Sequence, residues 1–363
     1  MAHQAVEGLP GTDRAGAPAA LLQIEDLAVD YRLRGRRTFR AIDGVSVSVQ
    51  PGETVGLVGE SGSGKSTIGR AVLGLAKTAA GSIEFQGHEI SGLSRRRRAA
   101  LAGDLQVVFQ DPYSSLNPAL TIGQILREPL QVRRKLSARE AQAVVVDLLT
   151  RVALPADAAD RYPGSFSGGQ RQRIAIARAL SVGARLIVCD ESVSALDVST
   201  QAQVLALLQR LQAELGVAYL FISHDIAVVQ HLSDRVVVLY RGRVMEQGPA
   251  DRVCSTPLHP YTRLLLDAAP VPHPELQRRK REARLATAAA VPTAVAAAGA
   301  TGSVPVTADA CPFAARCPFA EQVCTQRRPA LTGMAGVQVQ CHLYDETSGH
   351  TRAGTVDPAI GIR

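Results

Sequence analysis

Gly59-Glu60-Ser61-Gly62-Ser63-Gly64-Lys65-Ser66 decides how this chain is read. The octapeptide fits G-x-x-x-x-G-K-S. The apolar run 54–58 precedes it and a helical stretch starts near Lys65. Strand, glycine-rich loop and helix, in that order, are the context a phosphate-binding loop requires. Glycines let backbone N–H groups turn inward into an anion-binding nest. The helix N-terminus adds its partial positive charge. Gly59, Ser61, Gly62, Ser63 and Gly64 would form the cradle. Lys65 is placed to reach the β- and γ-phosphates and Ser66 to ligate Mg²⁺, with Thr67 counted among the nucleotide-binding residues.

Further along, Leu186-Ile187-Val188-Cys189-Asp190-Glu191 is a short apolar strand ending in two acids. A carboxylate at that strand end suits Mg²⁺, which assigns Asp190. The adjacent Glu191 is the natural general base to orient an attacking water. On its own such a run reads equally well as a solvated strand end; downstream of a phosphate loop the chemical reading prevails. Ser167-Gly168-Gly169-Gln170 precedes a helix from Arg171 to about Leu180, and small residues at a helix start permit close backbone approach to an anion. Gln110 ends the run Val107-Val108-Phe109, and Ser223-His224-Asp225 follows the strand Tyr219 to Ile222.

These five segments, which along the chain run 59–66, Gln110, 167–170, 186–191 and 223–225, resemble the ABC ATPase family. The resemblance implies an α/β fold with a RecA-like phosphate-loop core, an antiparallel β layer and a helical subdomain. It implies ATP bound with Mg²⁺ and hydrolysed at an interface between two subunits. Ser167, Gly168, Gly169 and Gln170 would contact the γ-phosphate of ATP held by the partner. Gln110 would sense Mg²⁺ and link the site to the helical subdomain, and His224 would contact the γ-phosphate. Asp197 matches the loop that crosses the dimer interface, and Tyr31 lies where the family stacks an aromatic on adenine. The chain departs from the family at Phe166, usually leucine, and at Ser192-Val193, commonly proline-threonine. Neither is a reacting group; the missing proline frees one φ angle in that loop.

Composition bounds the rest. With 363 residues, 46% of them hydrophobic, the chain has room for one large α/β unit and a small appendage. The net charge of +7 suits an acidic surface or anionic headgroups. No aromatic-basic interleaving accompanies it, so nucleic acid is not expected. Arg95-Arg96-Arg97-Arg98 reads as a solvated helix face, with a membrane-adjacent patch as the alternative. Ala286 to Ala308 is uncharged but alanine-rich and broken by Pro292, Gly299, Gly302 and Pro305, which reads as linker rather than membrane span. No signal peptide is visible, so a cytoplasmic protein is expected, meeting a membrane only through partners. Ser137-Ala138-Arg139-Glu140 is a capping box starting a helix to about Val152. Residues 236–240 and 243–246, joined at Arg241-Gly242, read as a hairpin. The expected layout is a flexible tail at 1–20, the ATPase at 21–268 with its helical part at about 111–180, a linker at 269–310, a four-cysteine segment at 311–345 and a second tail at 346–363.

Two stretches narrow the family. Phe109-Gln110-Asp111-Pro112-Tyr113-Ser114-Ser115-Leu116-Asn117-Pro118 and His259-Pro260-Tyr261-Thr262-Arg263-Leu264-Leu265 resemble oligopeptide and dipeptide importer ATPases. Cys311, Cys317, Cys324 and Cys341 gather near the C-terminus and suggest one structural site. Disulfides are not expected in a reducing compartment, and four thiolates suit Zn²⁺ or an iron–sulfur cluster; free thiols are the remaining reading. Related peptide-importer ATPases carry this pattern, some with a [4Fe–4S] cluster, so the resemblance favours the cluster over Zn²⁺. Cys189 and Cys254 read as packing residues. The resemblance implies an ATP-hydrolysing subunit that powers peptide import. It would sit on the cytoplasmic face of the membrane with a second ATPase, a paralogue rather than a copy, two permease subunits and, indirectly, an extracytoplasmic binding protein. Nickel, glutathione or another small solute is the alternative cargo; a soluble ABC ATPase without a transport role is the more distant one.

Overall fold

The computed structural model describes residues 19–33, 37–111, 115–269, 278, 309–334 and 336–355. The expected tail at 1–20 (apart from residues 19 and 20), nearly all of the expected linker and Pro112-Tyr113-Ser114 lie outside the described residues. The chain divides into two compact units, Met1–Glu53 with Ser66–Leu220, and Thr54–Lys65 with Phe221–Arg363.

In the first unit, β1 (Leu22–Arg32) pairs antiparallel with β2 (Thr38–Val49) and with β4 (Thr78–Phe85), and β5 (His88–Glu89) follows β4. Leu22, Ile24, Val45, Val47, Val49, Ile83 and Phe85 alternate onto one buried face, as a half-solvated antiparallel sheet demands. The register slips between Glu25 and Ala28, where Asp26 adopts φ +46°. Gly81 lies against that bulge; a Cβ there would stand 2.4 Å from the Asp26 carbonyl oxygen.

The helical part contains α3 (Ile122–Arg134), α4 (Ala138–Arg151) and α5 (Gly168–Ser181). Each begins with a reciprocal capping box: Thr121 with Gln124, Ser137 with Glu140, Ser167 with Gln170. Ile125, Leu126, Leu130, Val145, Leu149 and Ile174 bury the apolar stripes between them. Here also β6 (Leu105–Val108) runs parallel to β7 (Leu186–Asp190) with Val108 opposite Cys189. That register sets Gln110 and Asp190-Glu191 at the same end of adjacent strands. Ligand sites of open α/β sheets lie at that carboxyl end. After β7 come α6 (Val198–Leu215) and β8 (Ala218–Ser223), along which the division between units falls.

The basic run departs from expectation. It forms α2 (Arg95–Leu101), and Arg96 and Arg97 are exposed. Arg98 instead turns inward, donating to the carbonyls of Val72 at 2.8 Å and Ile90 at 2.6 Å. Val72 ends α1 (Lys65–Val72), whose last carbonyls lack helical partners, so a guanidinium satisfies an orphan acceptor that a solvated arginine would leave to water.

In the second unit β3 (Thr54–Val58) runs parallel to β9 (Arg235–Tyr240), and β9 forms the expected hairpin with β10 (Arg243–Pro249). Arg241 at φ +47° and Gly242 at φ +78° supply the left-handed turn a two-residue hairpin favours. Helices α7 (Ile226–Leu232), α8 (Ala250–Ser255) and α9 (Pro260–Ala268) pack beside this sheet. The cysteine-bearing stretch contributes α10 (Gln322–Gln326), β11 (Leu331–Met334) and β12 (Val337–Gln340), and β12 pairs with β10. It therefore extends the sheet instead of standing apart as a separate knot. Residues 346–355, expected within a tail, form turns that bury Ser348 and His350. His350 Nε2 lies 2.9 Å from the Phe319 carbonyl oxygen, and Thr351 N–H donates to Glu321. Among the described residues no helix is long and apolar enough to cross a membrane.

Candidate nucleotide site

The phosphate loop is shaped by glycines. Gly59, Gly62 and Gly64 take φ +156°, +77° and +105°. A Cβ on Gly59 would meet the Leu239 carbonyl oxygen at 2.1 Å, so no other residue fits. Lys65 is buried at the start of α1, and its Nζ donates to the carbonyls of Gly59 at 2.7 Å and Glu60 at 3.0 Å. This folds the ammonium back over the loop, where an incoming phosphate would meet it. Ser63 is buried; Ser61 and Gly62 face solvent.

Ser66 and the strand-end carboxylates lie in the first unit. Ser66 Oγ donates to Asp190 Oδ1 at 2.7 Å. These two oxygens converge as hard-cation ligands do, so the pair fits Mg²⁺. Glu191, next along, adopts φ +49°. A left-handed glutamate is a strained backbone of the kind that recurs at reacting residues. Ser194 holds it: its N–H and Oγ donate to the Glu191 carbonyl at 3.1 and 2.9 Å. Gln110, exposed just past β6, donates to Ser194 Oγ at 3.4 Å, so the glutamine contacts the loop that bears Glu191. Thr67 lies in the first turn of α1.

Ser167 is the N-cap of α5, its N–H donating to Gln170 Oε1 at 3.0 Å. Ser167 and Gln170 are exposed and Gly168 half-buried, which leaves the head of the helix open. Gly169 is buried against α6: a Cβ there would lie 2.1 Å from Thr200 Cγ2. Thr200 N–H in turn donates to Asp197 Oδ1, which caps α6 and holds the Asp197 carboxyl below its usual range. The Ser167 segment and Asp197 are thus tied through Thr200, a residue the motif reading passed over. Tyr31 lies on β1 opposite Phe39, half-buried, with its hydroxyl buried. His224 is exposed after β8 in the second unit.

Cys311, Cys317, Cys324 and Cys341 line one cavity of about 10 Å³ together with Phe313, His342 and His350. Burial pushes the thiols up, Cys311 to about 11 and Cys317 to about 12. Among the described residues no group of three or more His, Cys, Asp or Glu is arranged to hold a metal ion. The donor set is nonetheless of the soft type that thiophilic metals select.

Such a loop, strand-end acid pair and capped Ser-Gly-Gly-Gln helix are the working parts of an ABC-type ATPase. A family model described as "ABC transporter" matches residues 42–194, and one described as "Oligopeptide/dipeptide transporter, C-terminal region" matches residues 245–324. The chain is 44% identical over 334 residues to the oligopeptide transport ATP-binding protein OppF of Escherichia coli, covering 90% of this chain and 96% of that protein. It is 50% identical over 267 residues to the glutathione import ATP-binding protein GsiA of Escherichia coli, covering 72% of this chain and 43% of that protein. Among solved structures it is similar to cbiO1 from Clostridium perfringens, with 29% identity, a TM-score of 0.58 and coverage of 64% of this chain and 90% of that one. A dimeric ATP-binding cassette, MJ0796, in a post-hydrolysis state bound to ADP and Pi has 28% identity and a TM-score of 0.57, covering 63% of this chain and 98% of that one. The chain belongs to the ATP-binding subunits of the oligopeptide/dipeptide ABC transporter family.

Proposed function

We propose that this chain hydrolyses ATP to power import of di- or oligopeptides through a membrane transporter, with Glu191 as general base. The observation that carries the catalytic assignment is the Ser66–Asp190 contact at 2.7 Å with Glu191 beside it in a strained conformation. The loop N–H groups and Lys65 bind and orient the β- and γ-phosphates. Ser66 and Asp190, with Gln110, would hold Mg²⁺, which neutralises developing phosphate charge. Glu191 orients a water for in-line attack on the γ-phosphorus and accepts its proton. Ser167, Gln170 and Asp197, exposed on one subunit, serve with the backbone of Gly168 and Gly169 the nucleotide held by the other. Closure of the pair is driven by contacts made only while the γ-phosphate is present, His224 among them, and hydrolysis releases it. Tyr31 stacks on the adenine.

The partners are a second ATPase, a paralogue by preference, two permeases and, indirectly, a substrate-binding protein, with this chain peripheral on the cytoplasmic side. Likeness to OppF over nearly its whole length supports peptide cargo; the likeness to GsiA keeps glutathione as the second reading. We assign the four cysteines a [4Fe–4S] cluster, supported by four soft thiol donors that line one cavity. Zn²⁺ is the second reading, favoured by a cavity of about 10 Å³, near the size of one water. Either would act as a structural staple, and iron, sulfide and zinc analysis of anaerobically purified protein separates them.

Affinity capture of the tagged chain from detergent-solubilised membranes of its host tests the transport reading. Two multi-spanning permeases and an ATPase partner should co-purify. Recovery of ribosomal or DNA-repair proteins alone would overturn it.

A further inference from the structure

Glu60, the second residue of the phosphate loop, is held at each of its polar groups. Its N–H donates to Tyr261 Oη at 2.8 Å, its carbonyl accepts from Lys65 Nζ, and its carboxylate takes both arms of the Arg316 guanidinium at 2.8 and 2.9 Å. The fork is the strong, orientation-fixing form of ion pair. Arg316 immediately precedes Cys317 and is itself braced, 5.8 Å from the Tyr240 ring centroid and 5.6 Å from that of Phe313. Tyr240, Tyr261 and Phe313 form one aromatic cluster with centroids 4.7 to 5.4 Å apart. Phe313 also walls the cysteine cavity. A path of direct contacts therefore runs from the cysteines to the loop.

The charge at Glu60 matters because the loop's purpose is to receive an anion. A bare carboxylate there would repel a triphosphate in proportion to its charge. Arg316 neutralises the carboxylate and fixes its direction, and with Tyr261 it fixes the peptide whose carbonyl holds Lys65.

We propose that Arg316 is a positioning residue for the phosphate loop, through which the cysteine-bearing segment sets the affinity of the nucleotide site. This rests on the phosphate-loop assignment above. Nothing in the loop motif calls for an arginine more than 250 residues away, and the contact makes the C-terminal segment part of the nucleotide site.

The test is equilibrium binding of ATP, ADP and AMP with Mg²⁺ to the full chain, wild type against Arg316→Ala, Arg316→Lys, the double variant Arg316→Ala with Glu60→Gln, and Lys65→Ala. Arg316→Ala should weaken ATP binding about fivefold or more, ADP less and AMP least. Adding Glu60→Gln should recover most of that loss by removing the bare charge. Arg316→Lys, keeping charge without the fork, should fall between. Unchanged ATP affinity in Arg316→Ala, or an equal loss for all three nucleotides with a lowered melting temperature, would overturn the proposal. Should Arg316→Ala not fold, wild-type ATP affinity in folded Arg316→Lys would overturn it equally. Lys65→Ala separates the two layers: if it binds ATP normally, the phosphate-loop assignment itself fails, whatever Arg316 does.

Discussion

The phosphate loop and the cysteine cavity lie in the same unit and are specified in opposite ways. The loop is written into the backbone: three glycines at positive φ, one so close to the Leu239 carbonyl that a single methyl would collide. The cavity is written into side chains from distant positions, four thiols among aromatic and histidine neighbours, each raised by burial. A backbone-coded site is local and leaves a contiguous motif. A side-chain-coded site is assembled by the fold and leaves only spacing. The first answers to steric change, the second to titration and ligand chemistry.

That contrast can be broken by experiment. The largest effect should come from Gly59→Ala, which must shift either the loop or β9; a loss of about 3 kcal/mol or more is expected by chemical denaturation, with nucleotide binding abolished. Wild-type stability in that variant would mean the loop is not sterically fixed. Next is Glu246, fully buried on β10 beside the turn that leads to Tyr261, its oxygens accepting from the N–H groups of Leu258 and His259. Burial raises its carboxyl from an ordinary 4.5 to about 7. The folded value exceeds the unfolded one, so its contribution is full below about pH 4.5 and is lost as pH rises to about 7. Comparing denaturation midpoints across that window, Glu246→Gln should lack a pH-dependent loss of about 3 kcal/mol seen in wild type. Parallel profiles would mean Glu246 titrates as an ordinary exposed carboxylate. The smallest is Ser137→Ala, which removes one exposed capping box and should cost about 1 kcal/mol in thermal or urea denaturation, leaving nucleotide affinity unchanged.

Legibility followed the same division. Strand, loop and helix around Lys65 were readable because periodicity and glycines are local signals. So was the capping box at Ser137, because four consecutive residues carry it. The hairpin at Arg241-Gly242 was readable for the same reason. Strand β11 was not, and β12 carries only a brief Val337-Gln338-Val339-Gln340 alternation. They are four residues each, and β11 alternates only between exposed and half-buried, which no apolar pattern announces. Arg98 looked like three neighbouring arginines; only the fold brings Val72 and Ile90 to it. The Glu60–Arg316 pair spans 256 positions, and no spacing rule links its partners. The sequence signal that came nearest was the His259-Pro260-Tyr261 stretch, which marked the family without saying that Tyr261 meets the loop.

The most direct test of the catalytic account is single-turnover ATP hydrolysis by the assembled complex carrying Glu191→Gln in this subunit, with the corresponding base of any paralogous partner also removed. ATP binding and pairing should persist while hydrolysis falls by about 100-fold or more. Near-normal turnover in that variant would contradict the role of Glu191 and with it the reading of the Ser66–Asp190 pair as the centre of the reaction.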